Sequence, residues 1–285
     1  MIRTSARTPA LVSTKRDRPR PRRAIVDTHC HLNFHAFEKD WRAVADEAVQ
    51  QGVSKMVVVG SQLENSKRAV WQAASHPACF AAVGLHPTHV LDETLDLGEY
   101  ERLARNPRVV AIGEIGLDQF RPSERESFEK QKNVFRSLLT LARTLNKPAI
   151  IHCRAHAGTL DAYEELVSQL SSMKDRPQFV VHCFMGSVKI MEELIALGGL
   201  ISFTAVITLP SFKEQMEELL RAIPMERMLL ETDSPYIKPH GWALERNTPT
   251  GVWEVAQQVA QAKGISLARV ATITSAHSQD FFRFQ

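Results

Sequence analysis

His29 and His31 flank Cys30 in the stretch DTHCHL, directly after a short apolar run that starts at Ala24. On an extended chain, residues i and i+2 point the same way, so both imidazoles can reach one ion while Cys30 faces away. Glu114 lies in GEIGLD, His152 and His182 close the apolar runs PAIIHC and QFVVHCF, and Asp233 ends MLLETD. Four imidazoles and two carboxylates suit transition-metal ions. Two ions ~3.5–4 Å apart need a bridging ligand, which a carboxylate can supply. Singly, each residue has an ordinary reading. A histidine at a strand end is more often a loop residue, Glu114 could be a core ion-pair partner, and Asp233 could serve the turn at Ser234-Pro235. The weight lies in their joint placement at expected strand ends. His35, His76, His156, His240 and His277 lack that placement. Cys153 and Cys183 directly follow ligand candidates, and alternation turns them toward a barrel–helix interface as small hydrophobes.

The elements that must position these residues are short strands. Apolar runs at 24–27 and 53–60, and from Cys79, Val109, Pro148, Gln178, Gly199 and Met228, read as eight of them. Helical spacing fills 41–51, 63–75, about 93–105, 123–145, 161–171, 188–197 and 212–222, and again near 250–263 and 267–281. Ser123 with Glu126 resembles a capping box at the start of the 123–145 helix. The strands are apolar almost without alternation, as expected when both faces are buried. Strict alternation of strand and helix implies a parallel sheet. Eight units in about 260 residues fit the α/β class as a (β/α)8 TIM barrel, typically of ~250 residues. A doubly wound open sheet is the alternative, but no GxGxxG fingerprint or Walker loop supports it. In a barrel the strand ends converge on one face, so the six candidates would meet in one mouth.

The chain has 285 residues and a formal net charge of +3, with 44% hydrophobic and 24% charged residues. Such values exclude general disorder. No apolar run nears the ~18 residues of a membrane span, so no membrane partner is expected. The charge is uneven. Residues 1–23 carry Arg3, Arg7, Lys15, Arg16, Arg18, Arg20, Arg22 and Arg23 against Asp17 alone, a net +7, which leaves residues 24–285 at −4. Pro-containing and poor in apolar residues, this arm is expected to be disordered. The expected division is therefore a basic arm at 1–23 and a hydrolase barrel at 24–285. The arm lacks the apolar core of a secretory signal. A ragged or overlong N-terminus is the favoured reading, with an organelle transit peptide or a nucleic-acid-attracting arm as alternatives. Cys30, Cys79, Cys153 and Cys183 show no CxxC spacing, which fits a reduced, cytoplasmic setting.

The stretches DTHCHL, VGLHP, GEIGLD, KPAIIHCR, VVHCFMGS and LLETDSP, with ERNTP before the last helices, together resemble the TatD family of metal-dependent hydrolases. The likeness covers about residues 24–285. It implies a TIM barrel of the amidohydrolase type and a divalent-metal phosphodiesterase acting on DNA, often as a 3′–5′ exonuclease on single strands. Carried over by motif, the metal ligands fall on His29, His31, Glu114, His152, His182 and Asp233. The chain departs from the family pattern at Ala155-His156-Ala157, where an acidic residue is common, and at Ser202-Phe203-Thr204-Ala205, where a glycine is common. Both departures bear on substrate choice.

The expected chemistry is two-metal hydrolysis with Zn, Mn or Mg. His29, His31 and Asp233 would hold one ion, His152 and His182 the other, and Glu114 would bridge. Bound water, its pKa lowered toward ~7, would supply hydroxide, and Asp233 would orient it and take its proton. His86 is a candidate contact to a phosphate oxygen or leaving group, with loop fixing as its alternative. Arg154 and Arg246 are candidate phosphate contacts, with surface ion pairing as theirs. Asp118 is expected to support its loop. The mildly acidic body offers no dense basic face, which points to strand ends or short oligonucleotides as partners and not to a tight duplex grip. The alternatives are a metal-dependent esterase such as a D-aminoacyl-tRNA deacylase, a small-molecule amidohydrolase, and a non-catalytic binding subunit.

Overall fold

A computed structural model describes residues 24–285; the expectation for the 1–23 arm lies outside the described residues. Eight parallel strands pair in chain order: β1 (Ile25–Cys30), β2 (Val53–Val59), β3 (Cys79–Val83), β4 (Val109–Asp118), β5 (Ala149–Arg154), β6 (Phe179–Val181), β7 (Leu200–Phe203) and β8 (Met228–Leu230). β1 meets β8 through a parallel bridge between Cys30 and Ser234 and through the Thr28 hydroxyl, which donates to the Leu230 carbonyl. The sheet thus curls into a TIM barrel. Outside it lie α1 (Trp41–Gln50), α2 (Leu63–Ser75), α3 (Leu97–Ala104), α4 (Pro122–Glu126), α5 (Phe128–Thr144), α6 (Asp161–Ser172), α7 (Val188–Ala196), α8 (Lys213–Ala222), α9 (Val252–Lys263) and α10 (Leu267–Phe282). Among the described residues no helix is long and apolar enough to cross a membrane.

The strands look unpatterned in sequence because both faces are buried, but their two faces bury different things. Met56, Val58, Ala81, Val83, Ala149, Ile151 and Leu230 belong to the large core shared with the helices. The intervening Val57, Val59, Phe80, Ala82, Ile150, Val180 and Leu229 form a separate cluster inside the barrel. Phe281 and Phe282 at the end of α10, with Phe284, join this inner cluster and close the barrel base. Each such ring contributes about 2–3 kcal/mol by leaving water.

Alternation continues upward from the inner layer. Ile150 is followed inward by His152, Val180 by His182, and Leu229 by Glu231. In β1 simple alternation from Val26 would turn Cys30 inward. A register shift between Asp27 and Cys30 against β2 adds one residue, so His29 and His31 face inward and Cys30 joins the outer core. β4 has a similar shift between Ile112 and Ile115, with both isoleucines in the outer core and Glu114 between them. Bulges of this kind re-aim side chains beside active sites.

One expectation is corrected. The 123–145 helix is two helices, and Ser123 with Glu126 is no capping box. Pro122 occupies the first turn of α4 after Arg121, so Ser123 already lies inside the helix, where its hydroxyl meets Glu124 Oε2 at 3.3 Å. The chain breaks at Ser127, whose hydroxyl donates to the Glu124 carbonyl (3.1 Å). The buried Gln131 donates to the carbonyls of Glu124 and Asp118 and accepts from the Asp118 N–H, at 2.8, 2.9 and 2.8 Å. The break thereby anchors the end of β4.

Candidate metal centre

The six candidate ligands converge at the mouth of the barrel, with Glu114 in the middle. Its Oε2 lies 3.5 Å from His29 Nε2 and 3.7 Å from His31 Nε2. Its Oε1 lies 2.8 Å from His182 Nε2 and 3.0 Å from His152 Nδ1. One carboxylate therefore faces two imidazole pairs, one through each oxygen. Asp233 Oδ1 joins the first pair, 3.3 Å from His31 Nε2 and 3.7 Å from His29 Nε2. Asp233 lies three residues beyond β8, with φ 54°. It is held there by its N–H donating to the His29 carbonyl at 2.9 Å.

The outer ring nitrogens decide what the inner ones can do. His31 Nδ1 is 2.9 Å from the Val59 carbonyl, an acceptor only, so that nitrogen carries the proton and Nε2 offers a lone pair. His152 Nε2 is 2.9 Å from Asp118 Oδ2, which leaves its Nδ1 lone pair toward Glu114. His182 Nδ1 stands 3.3 Å from Glu231 Oε1, an oxygen that the Cys183 N–H also approaches at 2.7 Å. Carboxylate or carbonyl partners behind imidazoles are the usual support of metal-ligating histidines.

When neutral, these imidazoles turn lone pairs toward the carboxylates, and the carboxylates draw a positive charge into the gap: despite burial they raise His31, His152 and His182 above the ordinary imidazole range, and a bound cation would replace those protons. His29 Nε2 and His31 Nε2 are 3.2 Å apart, and His152 Nδ1 and His182 Nε2 are 3.4 Å apart. Tetrahedral coordination with bonds of ~2.0–2.1 Å places donors about 3.3 Å from each other. The donor set fits metal ions in both spacing and type. Three groups of side chains could each hold an ion: His29 with His31 and Glu114, His29 with His182 and Asp233, and His86 with Glu114 and His152.

Burial alone would raise the Glu114 carboxyl. The imidazoles of His182, His86 and His29, with the His152 hydrogen bond, outweigh it and hold Glu114 well below the usual carboxylate range. Asp233 is also lowered: burial opposes this, and the His31 hydrogen bond with the neighbouring imidazoles overcomes it. Both remain anionic, as cation ligands must. His86 behaves differently, because burial depresses it to about 4. The Thr88 N–H donates to His86 Nδ1 at 3.2 Å and the Thr88 hydroxyl sits 2.7 Å from the same nitrogen. That nitrogen is an acceptor, so Nε2 carries the proton, 3.3 Å from Glu114 Oε1. With Nε2 protonated, His86 drops out of the third group as a ligand and serves there as a hydrogen-bond donor.

The backbone around Glu114 needs bare glycines. A Cβ on Gly84 would stand 2.6 Å from the Gly113 carbonyl carbon, and one on Gly116 would stand 1.9 Å from the His152 oxygen. Without them β4 packs closely, and the Glu114 N–H donates to the Gly60 carbonyl at 2.8 Å, past the end of β3.

A cavity of about 1350 Å³ opens above the cluster. His31, Glu114, His152 and Asp233 line its depth, and Phe120, Arg154 and Tyr236 line it nearer solvent. The Arg154 guanidinium lies 3.6 Å from the centre of the Phe120 ring. Arg246 is not brought to this cavity. It bonds the Asp40 carboxylate and the Ala36 carbonyl and lies over Phe37, so its charge is already paired. Asp118 does support its loop, accepting the Phe120 N–H at 2.8 Å, and the same carboxylate also holds His152.

Three contributors went unseen in the sequence. Glu231 had a signal, because it is the first inward position after Leu229. Asp27 also had one, as a carboxylate beside the H-x-H pair. It is fully buried and accepts from the Thr232 hydroxyl (2.7 Å), the Thr232 N–H (2.9 Å) and the His29 N–H (3.3 Å), tying β1 to the segment that carries Asp233. Asn247 pins that segment from the far side, its amide donating to the carbonyls of Thr232 and Ile237, both at 3.0 Å. Its contacts close an irregular loop, whose path no periodicity announces.

Comparison with known proteins gives concordant results. A family model described as TatD related DNase matches residues 26–283. The uncharacterized metal-dependent hydrolase YabD of Bacillus subtilis is 34% identical over 261 residues, covering 91% of this chain and 99% of that protein. The 3′-5′ ssDNA/RNA exonuclease TatD of Escherichia coli K12 is 32% identical over 265 residues, covering 90% and 98%. Among solved structures, the TatD homolog YJJV of Escherichia coli superposes with a TM-score of 0.83 at 30% identity, over 92% of this chain and 98% of that one.

Proposed function

The chain belongs to the TatD-related DNase family of metal-dependent hydrolases, and from that premise we propose that it is a two-metal phosphodiesterase that removes nucleotides from the 3′ end of single-stranded DNA. The observation that carries this reading is the division of Glu114, with Oε2 facing His29 and His31 and Oε1 facing His152 and His182. His29, His31, Asp233 and Glu114 Oε2 would hold one divalent ion, and His152, His182 and Glu114 Oε1 the other. Bound there, the ions would supply an acidified water and offset charge on the phosphate oxygens.

The chain's own groups then have distinct tasks. Asp233, kept anionic, orients the attacking water and takes its proton on Oδ2. His86 stays neutral and donates from Nε2 to a non-bridging phosphate oxygen. Asp118 and Glu231 keep the lone pairs of His152 and His182 aimed inward. Arg154 stands at the rim, where its guanidinium can pair with an adjoining phosphate. The barrel at 24–285 carries all of these groups, and residues 1–23 are assigned no part in turnover. Four unpaired cysteines suit a cytoplasmic enzyme.

The test strips the purified protein with chelator and reloads it separately with Zn²⁺, Mn²⁺ or Mg²⁺. It is then offered single-stranded DNA with a free or blocked 3′ end, and mischarged tRNA. Mononucleotide release from the free 3′ end alone is expected. Intact DNA with every ion, together with deacylation of the tRNA, would overturn the reading in favour of an esterase.

A further inference from the structure

Two exposed aromatic residues stand on opposite sides of the barrel mouth. Phe120 is 40% exposed and Tyr236 is 52% exposed, and both line the large cavity. Phe120 follows β4 and Tyr236 follows β8, four strands apart in a ring of eight, so they stand on opposite rims. Neither is a stray surface residue, because each is tied to a carboxylate-bearing residue of the centre. The Phe120 N–H donates to Asp118 Oδ1, whose other oxygen holds His152. Its carbonyl accepts from Arg125 at 3.3 Å. The Tyr236 N–H donates to the Asp233 carbonyl at 2.9 Å. Tyr236 also meets Phe34 edge to face, with centroids 6.2 Å apart, and Phe34 stacks on His31 at 4.2 Å. Aromatic surface therefore runs from a ligand candidate out to one rim, and a ring backed by the Arg154 guanidinium stands on the other.

Resting on the phosphodiesterase reading, we propose that Phe120 and Tyr236 are the two base-stacking platforms of the site, one for each nucleotide flanking the scissile phosphate. A strand seated this way has its two bases unstacked and turned to opposite rims, with the phosphate between them over Glu114 and Asp233. Rings stack on any base, so the platforms select for the presence of bases and not for sequence. A single strand adopts this splayed form cheaply, whereas a duplex end must first open its pairs at a cost. The arrangement also selects against an aminoacyl ester, which has a base on one side of the bond only.

The experiment uses the metal-loaded protein and a short single-stranded oligonucleotide, unmodified or with an abasic residue on one side of the scissile phosphate. The variants are Phe120→Ala, Tyr236→Ala and Phe120→Trp, and kcat/KM is read. Each alanine variant is expected to lose about ten- to a hundredfold on the unmodified strand. Each ring is expected to couple to one flanking position: once that base is missing, removing the ring costs nothing more. The two rings should couple to different positions, and Phe120→Trp should retain most of the efficiency. Penalties that simply multiply, alanine variants that match the parent, or both rings coupling to the same base would each overturn the clamp while the nuclease reading stands. A parent protein that leaves the unmodified strand intact would overturn both.

Discussion

Substituting Asp118 by asparagine should weaken metal binding more than substituting it by alanine. Asp118 Oδ1 accepts from the Phe120 N–H at 2.8 Å, and Oδ2 accepts from His152 Nε2 at 2.9 Å. Gln131 holds the Asp118 backbone from both sides, so the position does not drift. Asparagine has one acceptor and one donor end. The Phe120 N–H can only donate, so the asparagine oxygen must face it and the NH₂ must face His152. His152 then accepts at Nε2 and moves its proton to Nδ1, the nitrogen 3.0 Å from Glu114 Oε1 and meant for the ion. The opposite amide orientation leaves two donors facing at Phe120, a loss of about 1–3 kcal/mol. Either way metal affinity should fall about 10- to 100-fold, or about 1.4–2.7 kcal/mol. Alanine removes the support but leaves the correct tautomer accessible through water, so its loss should be smaller. Competition with a chromophoric chelator reads the affinity, and circular dichroism with thermal melting checks the fold. An Asp118→Asn protein that binds metal like the parent, or better than Asp118→Ala, would refute this account of His152.

Other substitutions test other parts of the centre. Glu114→Ala should lower bound metal and reduce hydrolysis by about 10³-fold or more, since it removes both oxygens proposed to bridge the ions; elemental analysis and turnover check this, with the fold intact. Asp233→Asn should abolish turnover while retaining most of the metal, as measured on the same samples. Gly116→Ala places a Cβ 1.9 Å from the His152 oxygen at φ 150°, so it should destabilise by about 2–6 kcal/mol from overlap and backbone strain together, read as a lowered urea midpoint at unchanged slope. Deleting residues 2–23 removes net charge +7 and should leave metal content and kcat unchanged; loss of catalysis at low salt would make the arm part of the substrate site.

The barrel and the gathering of the six candidate ligands at one mouth were legible because a short apolar run that closes on a metal-type side chain marks a strand end. His152 and His182 follow that rule directly, one alternation above Ile150 and Val180. His29, His31 and Glu114 reach the same mouth through register shifts that leave no mark on runs buried on both faces. Arg246 illustrates the opposite limit. A long charged side chain chooses its partner from the folded surroundings, and Asp40 lies 206 residues away. Asp118 supports its loop, as its place after GEIGL suggests, but its hold on His152 appears only once β5 lies beside β4. Ser123 and Glu126 have capping-box spacing, but Pro122 starts the helix one residue earlier.

The rings that close the barrel base bear on how the protein is made. Phe281, Phe282 and Phe284 lie beyond every strand in sequence, yet they complete the cluster formed by Val57, Phe80 and Ile150. A nascent chain with all eight strands already synthesised still has an unsealed interior until these residues emerge. The roughly 50 residues between the end of β8 and Phe281 take about 3–10 seconds at ~5–20 residues per second, during which apolar parallel strands lack their final partner. Closure of the barrel base therefore waits for the end of α10 to emerge, and a chain with all eight strands made is most exposed to misassociation in that interval.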